Sequence, residues 1–229
     1  MKLRWQIAQF FEINWWRRYL GKRERGAYLD WKRRYWKDFL KKSGVQVPEK
    51  KSVLDAGCGP AGIFMILENN TVDALDPLLL FYEQSLPHFR RSDYPFVRFI
   101  DIPLEKYVPE KRYDVVFCLN AINHVADLQL CADRLSELVK PGGTLLLSID
   151  AHNFALLKRL FRLLPVDILH PHQYDLEEYK NMLGYRGFSI DRTLLIKKEV
   201  IFNYYLIIAT LSVPAASAAE PGKPGAFGG

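Results

Sequence analysis

At 229 residues, with 49% hydrophobic and 25% charged residues, the chain has the composition of a globular protein with room for one well-buried α/β domain rather than two. Its three cysteines, Cys58, Cys118 and Cys131, show no CxxC or other ligand spacing. That argues against a disulfide scaffold and a zinc site, and reads as a reducing, cytoplasmic compartment. The net charge of +6 is uneven: residues 1–52 carry 15 Lys and Arg against 5 Asp and Glu, and the remainder 17 against 21.

Residues 1–46 read as a basic helical extension of two helices, and they hold all five tryptophans. In the second helix Tyr28, Trp31, Tyr35 and Phe39 recur at spacings of three and four, with Lys32, Arg33, Lys37 and Lys41 mostly on other faces. The opening MKLR lacks a signal-peptide apolar region, because Gln6, Gln9 and Glu12 interrupt it. The longest apolar run, IFNYYLIIATL from Ile201, is about half the length of a spanning helix and contains Asn203.

From residue 47 to 212 the texture becomes that of a domain of alternating strands and helices. SVLDA, TVDALD, FVRFID, YDVVFCL and GTLLLSID read as buried strands, separated by helical segments around 60–69, 78–88 and 127–139. Asp127 is placed to cap the last of these and KPGG to stop it. Such alternation predicts a parallel, doubly wound, Rossmann-like sheet. NFALLKRLFRLL and DLEEYKNMLGYRGF then read as amphipathic helices, the second opening on a capping box of Asp175 and Glu178. SIDRTLLIKK and VIFNYYLIIATL follow with almost no gap, so they are expected to form an antiparallel hairpin. Residues 213–229 are rich in Ala, Pro and Gly and are expected to be a disordered tail.

The first strand runs into LDAGCGPAG. Gly57, Gly59 and Gly62 there spell G-x-G-x-x-G, a turn that brings backbone amides close to a nucleotide of any kind. Asp76, 19 residues after Gly57, ends the second strand where a ribose-binding acid belongs. Neither feature discriminates among nucleotides. Asp55 does, since a carboxylate beside the turn would repel a pyrophosphate by about 1 kcal/mol or more. S-adenosylmethionine has no phosphate and carries an ammonium and a sulfonium, so the charge favours a methyl donor.

With its neighbours, VLDAGCGPAG resembles motif I of the class I S-adenosylmethionine-dependent methyltransferases, especially the small-molecule enzymes of quinone biosynthesis. The resemblance covers roughly residues 50–211. It rests on motif I, on ALDP with Asp76 and Pro77, on FID ending at Asp101, on YDVVFCLNAINHVAD, on LVKPGGTLLLS and on the terminal hairpin. Ala61 departs from the family's common third glycine, which here falls at Gly62. The resemblance implies a seven-stranded sheet ending in an antiparallel hairpin, and S-adenosyl-L-methionine as cofactor. It implies that Gly57 and Gly59 line the methionine moiety near Asp55 and that Asp76 holds the ribose. It places Asp101 and Ile102 about the adenine, and Asn120 and Ala121 beneath the sulfonium.

On the acceptor side, His124 in NAINHVAD is a candidate general base or a loop-fixing histidine. His170 and His172, in LHPHQYD, are candidate substrate contacts, and with no third ligand at matching spacing no metal is expected. Tyr28, Trp31 and Tyr35 are candidates to line the acceptor site if the basic extension closes over it. That extension has three readings: a helical cover, a peripheral membrane-surface contact, or, less favoured, a nucleic-acid surface. The expected function is methyl transfer to a small aromatic or apolar molecule. The alternatives are an RNA-modifying methyltransferase, an NAD(P)-binding oxidoreductase and a non-catalytic nucleotide-binding regulator.

Overall fold

The computed structural model describes residues 2–108, 110–152, 174–198 and 202–213, with residues 2–10 and 152 described in backbone alone. The basic extension forms α1 (Lys2–Leu20) and α2 (Arg25–Ser43), followed by β1 (Ser52–Ala56), β2 (Thr71–Leu75) and α3 (Leu79–Ser85). Next come β3 (Val97–Ile100), β4 (Tyr113–Cys118), α4 (Leu128–Leu138) and β5 (Val139–His152). The chain ends with α5 (Leu176–Gly184), β6 (Phe188–Lys197) and β7 (Phe202–Leu211). The expected helix at 153–164, His170, His172 and the tail from 214 onward lie outside the described residues.

The seven strands form one sheet in the order β3-β2-β1-β4-β5-β7-β6. β1 pairs in parallel with both β2 and β4, while β7 runs antiparallel to β5 and to β6, the terminal hairpin expected from the short gap. Chain order reverses between β1 and β4, and the crevice beyond their carboxyl ends is the ligand position of an open α/β sheet. Strand residues divide between the two faces. Val53, Val115, Phe117, Leu146 and Leu206 join the core under the N-terminal helices; Leu54, Val116, Leu145, Leu147 and Ile207 join the core under α4 and α5.

The N-terminal extension is continuous with the first of these cores. Tyr28, Leu29, Trp36 and Phe39 of α2 are buried in it, and the Trp36 indole N–H donates to the Ala61 carbonyl at 3.0 Å. α1 adds Leu20, and Tyr82 of α3 donates to the Glu12 carboxylate at 3.0 Å. Residue 46 therefore separates secondary-structure elements, not cores. α2 begins at Glu24, whose carboxylate caps the Gly26 and Ala27 amides, and ends on Gly44 in the left-handed conformation.

Two local expectations are corrected. The segment at 60–69 is not an α-helix but two tight 3-10 turns, Gly59–Ala61 and Ile63–Ile66. Pro60 and Ala61 are buried on the first turn and Ile63, Phe64 and Met65 on the second, which holds the segment short. KPGG does not stop α4, which ends earlier when the Val139 amide closes onto the Leu135 carbonyl. KPGG instead forms the bulged start of β5, where the pairing with β4 slips between Tyr113 and Val115. Asp127 and the Asp175–Glu178 capping box occupy their expected places.

Because Trp36 joins the extension to the turn after β1, Trp36→Ala should destabilise the protein by about 3–5 kcal/mol in urea unfolding. Trp36→Phe, which loses the hydrogen bond but keeps most of the ring, should cost about 1–2 kcal/mol.

Candidate functional site

Where β1 ends, the chain must turn under the end of β4. Gly57 sits at φ +74°, and a Cβ built on it would fall 2.3 Å from the Ala121 Cβ, so no other residue fits this crossing. Its amide and that of Cys58 donate to the Leu75 carbonyl at 2.7 and 3.1 Å, binding the turn to β2. Asp55 lies beneath this turn rather than in it. Its buried carboxylate accepts the Phe64 amide at 3.1 Å, and burial pushes it up to about 7. Gly62 makes room for that arrangement, since a Cβ there would stand 2.3 Å from the Asp55 Oδ2.

Asp76, at the end of β2, faces the other way. Its Oδ2 accepts the Gly59 amide at 3.0 Å and its Oδ1 accepts the Leu78 amide at 2.8 Å, which fixes the carboxylate at the rim of the crevice. Burial, followed by the neighbouring Glu12 carboxylate, raises it to about 7. Asn120 sits opposite, at φ 55°, with its amide donating to the Ser148 hydroxyl at 2.7 Å.

These groups border a cavity of about 1050 Å³. Gly57, Gly59, Asp76, Pro77, Asn120, Ala121 and His124 form its floor and sides, together with Pro103 and Leu104. α1 and α2 close it from above with Trp15, Trp16, Tyr19, Tyr28, Trp31 and Trp36. Several expected residues are placed elsewhere. Asp55 and Gly62 lie behind the turn, and Tyr35 lies behind Trp31 and Trp36, its ring tilted against the first and edge-on to the second. Asp101 and Ile102 stand off the cavity, and the Asp101 carboxylate is held by the Arg91 guanidinium at 2.8 Å. Cys58 lines the wall, its thiol pushed well up by burial and so unreactive.

The charges around the cavity discriminate among nucleotides. Three carboxylates, Glu12, Asp76 and Glu105, line it, against the cations Arg18 and Lys32. A cationic, phosphate-free nucleoside would meet carboxylates that keep lone pairs for its hydroxyl and amine groups. The donor set thus fits S-adenosylmethionine: Asp76, with Glu12 near it, toward the hydroxyls, and Gly57, Asn120 and Ala121 toward the methionine end. Among the described residues no group of three His, Cys, Asp or Glu side chains is placed to hold a metal.

Glu12, Trp16, Lys32, Trp36 and Glu105 were not singled out from the sequence. Lys32 and Trp36 could have been, because with Tyr28 they share one i, i+4, i+8 line on α2. Counting Lys32 among the outward-facing basic residues hid it.

A methyltransferase domain model matches residues 28–193. Ubiquinone biosynthesis O-methyltransferases of Rickettsia prowazekii and Vibrio atlanticus are 30% identical over 109 residues and 35% over 113, covering 47% and 45% of this chain. The chain spans less than half the length of these curated relatives, 43% and 45% respectively. Among solved structures, the Bacillus subtilis YcgJ protein superposes with a TM-score of 0.62 at 14% identity, over 76% of this chain and 97% of that one. A Burkholderia thailandensis 1,6-didemethyltoxoflavin N1-methyltransferase, solved with its substrate and S-adenosylhomocysteine, gives 0.55 at 17% identity, over 80% and 78%. At such identities the likeness is one of fold. The family match spans most of the sheet that builds the cavity, and on it this chain belongs to the methyltransferase domain family.

Proposed function

We propose that the protein transfers a methyl group from S-adenosylmethionine to a small aromatic or apolar acceptor. The observation that carries this reading is the carboxylate-rimmed cavity at the β1–β4 crossing, roofed by aromatic rings. The cofactor brings an already activated methyl group, so the protein's work is mainly to position and to exclude water. Asp76 accepts hydrogen bonds from the nucleoside hydroxyls, Gly57 lets the backbone close on the ligand, and Trp16, Tyr28 and Trp36 shut out solvent and face a flat acceptor. His124, exposed at the mouth, is placed to touch the acceptor. The names of the O-methyltransferase relatives support an oxygen acceptor on an aromatic, lipid-soluble molecule.

The mouth of the cavity supports a membrane-surface role. Phe11, Trp15 and Trp31 are exposed there, and Arg18, Lys22 and Arg23 border a shallow groove beside them. Trp15 stacks on Tyr19 at 4.8 Å, and the Arg23 guanidinium lies 4.3 Å over the same ring. Apolar rings beside fixed cations suit an anionic bilayer surface, from which a lipid-soluble acceptor would enter. No described helix is long and apolar enough to cross a membrane. The unpaired, buried cysteines support a cytoplasmic site.

Calorimetric titration should show S-adenosylhomocysteine binding and no NAD binding; the reverse would eliminate the methyltransferase reading. Asp76→Ala should weaken S-adenosylhomocysteine at least about tenfold, near 1.4 kcal/mol. The ionised Asp76 is the better acceptor and its raised value is about 7, so wild-type affinity should climb with pH across that value and climb less steeply in Asp76→Asn, where Asp55, also raised to about 7, still titrates. The protein should cosediment with phosphatidylglycerol vesicles and be released by salt, while phosphatidylcholine vesicles leave it in solution. Retention by RNA instead would favour the RNA-modifying alternative.

A further inference from the structure

α2 is a basic helix whose lysines mostly stay in water: Lys37, Lys41 and Lys42 are exposed. Lys32 is turned the other way. Its side chain lines the cavity, and its Nζ lies 4.6 Å from the ring centroids of both Tyr35 and Trp36 and 5.8 Å from that of Trp31. Among the described residues Nζ has no hydrogen bond and no ion pair; ring faces are its contacts. Cation–π attraction to three rings offsets part of the desolvation of the ammonium and fixes where it points. Burial lowers it to about 8, with the Asp55 carboxylate opposing that shift from behind the glycine turn. Among the described residues the other charged or titratable groups facing the same space are Glu12, Arg18 and Tyr19 on α1, Tyr28 on α2, Cys58 in the glycine turn, and Asp76, Glu105 and His124 after the strand ends.

The carboxylates on that list suit the cationic, hydroxyl-rich donor, and none of them forms an ion pair with Lys32, whose nearest named anion, Asp55, lies behind the turn. An ammonium held in an aromatic cage inside a substrate cavity has an obvious complement, a ligand that is flat and carries an acidic oxygen. The Trp31 and Trp36 rings, which line the cavity, stack on the flat part, and the half-buried ammonium favours the ionised form of the oxygen. That ionised oxygen is also the form whose lone pair is ready for transfer, since its proton has already left for solvent.

We propose that Lys32 is the acceptor-binding residue of this cavity, holding an acidic hydroxyl of the acceptor as its oxyanion beside Trp31 and Trp36. The inference rests on the methyltransferase reading and assigns the acceptor end of the same site.

The test uses full-length protein saturated with S-adenosylhomocysteine and 4-nitrocatechol as probe, whose phenolate absorbs at longer wavelength than its phenol. Below the probe's own ionisation pH, wild type should bind it with the phenolate band present. Lys32→Met should bind it at least about tenfold more weakly and without that band, and Lys32→Arg should keep the band. S-adenosylhomocysteine affinity should be the same in all three proteins, which also shows that the variants fold. Equal probe binding and equal ionisation in Lys32→Met, or no probe binding by wild type, overturns the proposal and leaves the methyltransferase reading standing. Failure of wild type to bind S-adenosylhomocysteine removes both.

Discussion

The close approach of the β1 turn to the end of β4 governs the rest of the molecule. Gly57 passes so near Ala121 that a single added carbon would overlap it. This contact sits where strand order reverses, between a parallel pair on one side and the strands leading to the antiparallel hairpin on the other. Two strands that diverge into opposite halves of a sheet leave a crevice at their carboxyl ends. The tight turn brings Asp76, Asn120 and Ala121 to its edges, and the following 3-10 turns present the Ala61 carbonyl on which α2 is anchored through Trp36.

Charge is distributed around that crossing in two layers. Asp55 and Gly62 form the inner one, a carboxylate folded under the turn and satisfied by a backbone amide. Its contribution to ligand choice is indirect, through the field it sets up and the shape it imposes on the loop. Asp76, Glu12 and Glu105 form the outer layer, which a ligand would meet. The preference for a cationic nucleoside that Asp55 suggests in the sequence is therefore exerted by other carboxylates. Two of them, Glu12 and Glu105, come from a helix and a loop with no motif of their own.

The basic, tryptophan-rich extension has a divided character. Its inner side completes the core and roofs the cavity, with Tyr28, Trp36 and Lys32 turned toward the crevice. At the cavity mouth it leaves Phe11 and Trp15 exposed, with Arg18 and Arg23 beside Trp15. One helical pair thus covers the cavity and leaves exposed rings and cations at its mouth.

The strands, the parallel order, the terminal hairpin, the glycine turn, Asp76 and the capping of α4 and α5 were all legible in the sequence. Each depends on residues within a few positions of one another, on period-two burial, on turn chemistry or on the length of a gap. Less local features were not. The shortness of the segment after β1 depends on burial of Ile63, Phe64 and Met65, and the bulged start of β5 depends on its pairing with β4. Asp101 was placed by motif at the ligand, yet Arg91 from the preceding segment claims its carboxylate. Lys32 looked solvated among basic neighbours, and only the docking of α2 through Trp36 turns it into the cavity. By itself the sequence determined most of the elements, the terminal hairpin and the glycine turn, since these follow from local stereochemistry and the length of a gap. The tertiary structure alone decided which side chains face the ligand, because that depends on how distant helices pack over the β1–β4 crossing.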